Sequence, residues 1–150
     1  MGYWLIMILA LAVDQGTKWL AQTRLSRVDT IPLVEDVFHL TYTRNTGAAF
    51  SILRNQQLLL IVITSAALLG LALWLARLTA QPGNGALKLS LACILAGGVG
   101  NLIDRVRLNY VIDMLDFRLI NYPIFNVADC LVVGGTLLLG WLVLFRDVKL

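Results

Sequence analysis

Four runs of this chain are long and apolar enough to cross a bilayer, and that constrains the fold more than any motif does. A hydrocarbon core about 30 Å thick takes roughly 20 helical residues to span. Residues 2–21, 58–76, 86–103 and 125–145 each come close to that length. The second run, LLLIVITSAALLGLALWLA, holds no charge at all. Composition agrees: 59% of residues are hydrophobic and 14% charged, where soluble domains hold about half and about a quarter. The opening MGYWLIMILALAV lacks the basic flank of a secretory leader and further spans follow it, so it reads as a retained span. QPGNG at 81–85 marks a turn between the second and third runs. No repeat or low-complexity tract interrupts the chain. The expected fold is an all-α membrane protein, a four-transmembrane-helix bundle forming one domain over residues 1–150.

Alternating passage through the membrane gathers the ends of the first and third runs and the starts of the second and fourth on one side. That side receives Asp14, Lys18, Asn45, Asn101, Asp104, Arg105, Asp113, Asp116, Asn126 and Asp129. The other side receives little beyond Arg77, Lys88, Arg146, Asp147 and Lys149. Polar chemistry is therefore concentrated at one membrane surface. Which surface stays open: Arg24, Arg27, Arg44, Arg54, Arg105, Arg107 and Arg118 on the polar side would place it in the cytoplasm by the positive-inside rule, unless several are bound in a site. Within the loop of residues 22–57, VFHLTYT alternates at Phe38, Leu40 and Tyr42 as a short strand does. Such a strand could pair with a peptide backbone or only within its own loop. In residues 106–124 and just beyond, Tyr110, Phe117, Tyr122 and Phe125 suit a membrane interface.

Several function classes fall away. The basic residues stand mostly singly, which is no nucleic-acid footprint. His39 is the sole histidine, and Cys93 and Cys130 lie inside apolar runs as small hydrophobes, so no metal-ligand spacing is present. What remains is carboxylate chemistry. Asp14 lies about 15 Å into the first helix, a depth that requires a partner or a wet cavity. Lys18, four positions on, shares its face; the pair either braces helix packing or faces a substrate. In AGGVGNLIDR, Gly97, Gly98 and Gly100 admit a neighbouring helix or a lipid chain. Asn101 and Arg105 share a helical face, and the Arg105 fork suits a carbonyl or phosphate or braces Asp104 or Asp14. Asn126 and Asp129 stand at i and i+3 at the head of the fourth helix, where Asn126 can cap and Asp129 meets the positive end of the dipole. Asp113 sits among Val111, Ile112 and Met114; burial raises a carboxyl pKa, and a second carboxylate raises it further. Two aspartates sharing one proton supply a base towards water and an acid towards a carbonyl oxygen. Spacing alone does not say which two of Asp14, Asp104, Asp113, Asp116 and Asp129 pair.

Two other readings compete with this one. A proton-coupled transporter would also keep acids in a membrane, but this chain has no repeat and its acids lie at an edge. A Ser/Lys peptidase would use Lys18 with Ser26 or Ser51, but a lysine facing Asp14 stays protonated. A non-catalytic assembly role is the remaining alternative.

Five segments, DQGTK (14–18), RNTGAAF (44–50), GGVGNLIDR (97–105), VIDMLDF (111–117) and FNVADCLVVGG (125–135), together resemble the bacterial lipoprotein signal peptidase (signal peptidase II) family. The resemblance implies a membrane-embedded aspartic endopeptidase. It would remove the signal peptide from diacylglyceryl-modified prolipoproteins on the N-terminal side of the lipidated cysteine. It implies Asp113 and Asp129 as the catalytic pair, with Asp14, Lys18, Asn45, Gly47, Asn101, Asp104, Arg105 and Asn126 binding substrate or supporting the site. Asp116 is expected to be non-catalytic. Further implications are a monomer with no metal or cofactor, lipid-modified prolipoproteins and membrane lipids as partners, a small extracytoplasmic β-sheet, and an interfacial loop or helix. Both termini would be cytoplasmic and the site near the outer leaflet of the bacterial cytoplasmic membrane. Met114 stands where the family usually has an aromatic, and Cys130 where a small hydroxyl is common.

Overall fold

The computed structural model describes residues 2–48 and 52–146. Phe50, Ser51, Asp147 and Lys149 lie outside the described residues. Four helices carry the apolar runs: α1 (Gly2–Thr23), α2 (Gln57–Thr79), α3 (Gly85–Leu108) and α4 (Val127–Phe145). All four are long and apolar enough to cross a membrane. The expected spans agree to within a few residues, except that α3 continues past 103 to Leu108, so Asp104 and Arg105 ride on the helix. It stops where Asn109 turns left-handed at φ 62° and its N–H closes on the Arg105 carbonyl at 3.0 Å, a common helix ending.

The third helix is the axis of the bundle. Half of its span is buried, against 17% or less in the other three. Leu87, Leu91, Ala92 and Leu95 of α3 pack with Leu68, Leu75 and Leu78 of α2 and Leu142 of α4. The outward faces stay apolar, as at Leu58, Leu69, Leu137 and Leu144, which suits lipid.

The glycine stripe on α3 is filled by protein. A Cβ on Gly97 would meet the Ala128 carbonyl oxygen of α4, one on Gly100 the Asp14 carboxylate, and one on Gly98 the Leu68 side chain. Close helix packing accounts for all three, and the alternative of a lipid-chain groove at these positions does not hold. Gly97→Ala forces backbone apart, and overpacking of this kind costs about 1–3 kcal/mol. A lowered melting temperature in detergent is the expected readout.

A three-stranded antiparallel sheet, β1 (Thr30–Val34), β2 (Phe38–Asn45) and β3 (Val111–Phe117) in that order, sits beyond the polar ends of the helices. VFHLTYT is a strand, as expected, but it pairs across loops as well as within its own. One edge takes β1, and the other takes VIDMLDF, whose Asp113 stands opposite Thr43 and whose Asp116 opposes His39. Residues 22–57 otherwise hold a short 3₁₀ turn at Leu25–Arg27, among the described residues. Three of the four interface aromatics cluster: Phe117 lies 6.0 Å from Phe125, and Tyr122 meets Phe125 edge-on at 5.5 Å.

Candidate active site

Two strand–helix junctions build the site. β3 delivers Asp113, and α4 delivers Asp129 from its first turn. Asn126 caps α4: its Oδ1 accepts from the Asp129 N–H at 2.9 Å, while the Asp129 carboxylate accepts from the Asn126 N–H at 3.2 Å. That reciprocal box satisfies two orphan donors of the helix. It also fixes the Asn126 amide, because an oxygen committed to the cap leaves Nδ2 pointing the other way. Nδ2 donates to Asp113 at 2.6 Å. One residue therefore holds both carboxylates.

The remaining oxygens are held similarly. Asn45, from the end of β2, donates to the second oxygen of Asp113 at 3.1 Å, and Asn101 of α3 donates to Asp129 at 2.8 Å. All four carboxylate oxygens thus accept from amide N–H groups, and neither acid forms a salt bridge among the described residues. Amide donors orient a carboxylate without the strong preference for the charged form that a direct cation imposes. Asp113 shows the result: burial, then the nearby charge of Asp129, push its pKa up to about 7, against the opposing bonds from Asn126 and Asn45 and the charge of Lys18. Asp116 on the same strand differs. Burial tends to raise it, but bonds from Thr41 (2.7 Å) and Arg118 (3.0 Å) prevail and hold it below the usual carboxylate value. Its partners are not among the residues that hold Asp113 and Asp129.

Beneath lies a second, fully buried layer. Lys18 meets Asp14 at 3.0 Å, Asp104 at 3.3 Å and the Asn101 Oδ1 at 2.7 Å. The last bond orients Asn101 so that its Nδ2 faces Asp129. Asp14 accepts from the Ala128 N–H at 2.9 Å, and Asp104 from the Ile112 N–H at 3.1 Å. Each of these acids therefore grips the peptide just before one aspartate of the pair. The expected Asp14–Lys18 pair is present and braces the site from below. Gln15 was not singled out in the sequence; its Nε2 donates to Asp14 (3.1 Å), Asp104 (3.2 Å) and the Gly100 carbonyl (3.2 Å). Its place inside DQGTK was the available signal.

Arg105 does not brace Asp104 or Asp14. It donates to the carbonyls of Gly47 (3.0 Å) and Asn101 (3.3 Å), while its buried Nε has no partner among the described residues. The Gly47 N–H is in turn held by Asn45 at 2.9 Å. Asp113, Asp129, Asn45, Asn101 and Arg105 open onto one cavity of about 860 Å³, whose far wall is apolar at Val111, Ile124, Phe125, Val132 and Val133. All ten site residues expected from the sequence are thus in the wall of this cavity or the layer supporting it. Ser26 donates to the Gln22 carbonyl (2.5 Å) rather than to Lys18, and Ser51 lies outside the described residues. Among the described residues no group of three His, Cys, Asp or Glu could hold a metal ion.

Four apolar helices around a buried polar site with a cavity lined by both polar and apolar residues define a multi-pass membrane enzyme. A solved structure described as a bacterial membrane enzyme superimposes with a TM-score of 0.84 at 28% identity, covering 99% of this chain and 94% of that one. The profile of the signal peptidase (SPase) II family matches residues 6–145. The lipoprotein signal peptidase of Brevibacillus brevis is 45% identical over 135 residues, 90% of this chain and 89% of the relative. That of Clostridioides difficile is 44% identical over 149 residues, 99% of each chain. The chain belongs to the signal peptidase II family and is a protease of bacterial membranes.

Proposed function

We propose that this protein removes the signal peptide from prolipoproteins whose cysteine carries a diacylglyceryl group, cutting on the N-terminal side of that cysteine by aspartic chemistry. The observation that carries the reading is Asn126, whose side chain and backbone donate at once to Asp113 and Asp129. Two acids facing one cavity and held by neutral donors can keep a single proton between them. The ionised member takes a proton from water, whose oxygen attacks the scissile carbonyl. The protonated member gives its proton to the carbonyl oxygen, forming a gem-diol. On collapse the acid that took the water proton gives it to the leaving nitrogen as the C–N bond breaks. The other carboxylate takes a proton from a gem-diol hydroxyl to leave the product carboxyl group, and the dyad regains its starting arrangement of one proton. Asn45 and Arg105 line the approach as donors for the peptide backbone, with the Gly47 carbonyl holding Arg105 in place, and no metal or cofactor takes part.

The position of the site supports the lipid requirement. A substrate anchored by two acyl chains presents its scissile bond at one depth near the headgroups. Helix ends are the rigid elements at that depth, and Asp129 stands on one. The polar end would face outward with both termini cytoplasmic, the chain acting as a monomeric single domain in contact with membrane lipids.

The test is cleavage by the purified full-length chain in detergent. A diacylglyceryl-modified prolipoprotein should be cut before its cysteine, with a chelator present or absent, and the unmodified precursor left intact. Cleavage of the unmodified precursor alone would overturn the proposal.

A further inference from the structure

Arg44 is a cation that the catalytic reading does not use. In register it pairs with Ile112, whose side chain packs with Ala21 and Leu25, whereas Thr43 and Asn45 pair with Asp113 and Val111. Arg44 is itself among the residues lining the cavity, with Thr43 and Asn45, but its guanidinium lies over the rings of Tyr42 (5.8 Å) and Tyr110 (5.2 Å), neither of which lines that cavity. Strand alternation in this register puts the Arg44 side chain on the face of the sheet opposite Asp113, with that of Ile112. Its Nε donates to the Tyr42 hydroxyl at 3.3 Å. Nη1 and Nη2 have no partner among the described residues, and no carboxylate pairs with the exposed group.

Depth identifies the occupant. Tyr110 follows the end of α3 by two residues, and Arg107 is exposed on the last turn of the same helix. A tyrosine at the end of a membrane-crossing helix sits at headgroup level. A guanidinium clamped between two such rings, with its Nη edge open, presents a planar fork matched to phosphate. We propose that Arg44, with Tyr42 and Tyr110, binds the phosphodiester of an anionic phospholipid on the face of the sheet opposite Asp113. A zwitterionic lipid brings its own cation to the phosphate and competes less well. The proposal goes beyond the peptidase reading and does not rest on it.

The test needs no substrate. The full-length chain is taken from nanodiscs holding equal phosphatidylglycerol and phosphatidylcholine, and retained lipid is counted by native mass spectrometry. The wild type should retain phosphatidylglycerol preferentially, and Arg44→Gln should cut that preference about fivefold, the effect of one basic residue at an anionic surface. Arg44→Lys should fall between them, since an ammonium keeps the charge and loses the fork. An unchanged ratio in either variant overturns the proposal, and Arg44→Lys decides it if the glutamine variant does not fold. Displacement of the lipid by an equal concentration of glycerol phosphate would mark a soluble-phosphate site and overturn the lipid assignment. Displacement by an acidic peptide would do the same in favour of a protein ligand.

Discussion

Asp113→Asn and Asp129→Asn should each lower prolipoprotein cleavage by about 10³-fold or more, the upper part of the range for a lost general acid or base. An amide occupies nearly the same space but cannot pass a proton between water and the peptide. The substitution is not free of structural cost here. Both oxygens of each aspartate accept hydrogen bonds, so an introduced NH₂ must face a donor from Asn45, Asn101 or Asn126. In Asp129→Asn the amide oxygen can keep the capping bond to the Asn126 N–H only by turning its NH₂ towards the Asn101 donor. Initial rates on a diacylglyceryl-modified precursor, paired with melting temperatures in detergent, separate the two effects. The activity loss should far exceed what the stability loss explains. A rate within tenfold of wild type for either variant would move the chemistry to other residues.

Lys18→Met should be the most destabilising single change in the site. It strands Asp14 and Asp104, both buried, without the one cation they share. Removing one partner of a buried ion pair costs about 3–5 kcal/mol. Activity should fall as well, because the Asn101 amide loses the donor that fixes its orientation towards Asp129. Adding Asp14→Asn to Lys18→Met removes one stranded charge, so the double variant should recover part of the loss. A thermal double-mutant cycle measures this. Additive losses would mean that Lys18 and Asp14 are not energetically coupled.

The helices and the crowded polar end were legible in the sequence because apolar length and charge at a membrane edge are local properties. Even there, the residues named five candidate acids without pairing them; the choice of Asp113 and Asp129 came from motif resemblance. The pairing depends on Asn126 reaching from the head of α4 to β3, which no spacing encodes. VIDMLDF was not legible as a strand. Its residues are buried on both faces from Val111 to Met114, so the alternation that reveals a half-exposed strand is missing. The Arg105 fork, left open in the sequence between a carbonyl or phosphate and a brace for Asp104 or Asp14, reaches the Gly47 carbonyl 58 positions away. The grips of Asp14 on Ala128 and Asp104 on Ile112 likewise join segments that only the tertiary fold brings together.

The central claim is one proton held between two carboxyl groups, and infrared difference spectra of the carboxyl region across a pH series test it most directly. Asp113, raised by burial and by Asp129 to about 7, should show a protonated carboxyl near neutral pH that disappears as pH rises through that value. Because the folded-state value is raised, the linked stability is present at lower pH and is lost over the same rise. This band should be present in the wild type and absent from Asp113→Asn, and in Asp129→Asn it should disappear at a lower pH, since Asp113 stays buried but loses the neighbouring charge. A wild-type spectrum in which every carboxyl titrates near pH 4, the ordinary aspartate range of about 3.9, would contradict it.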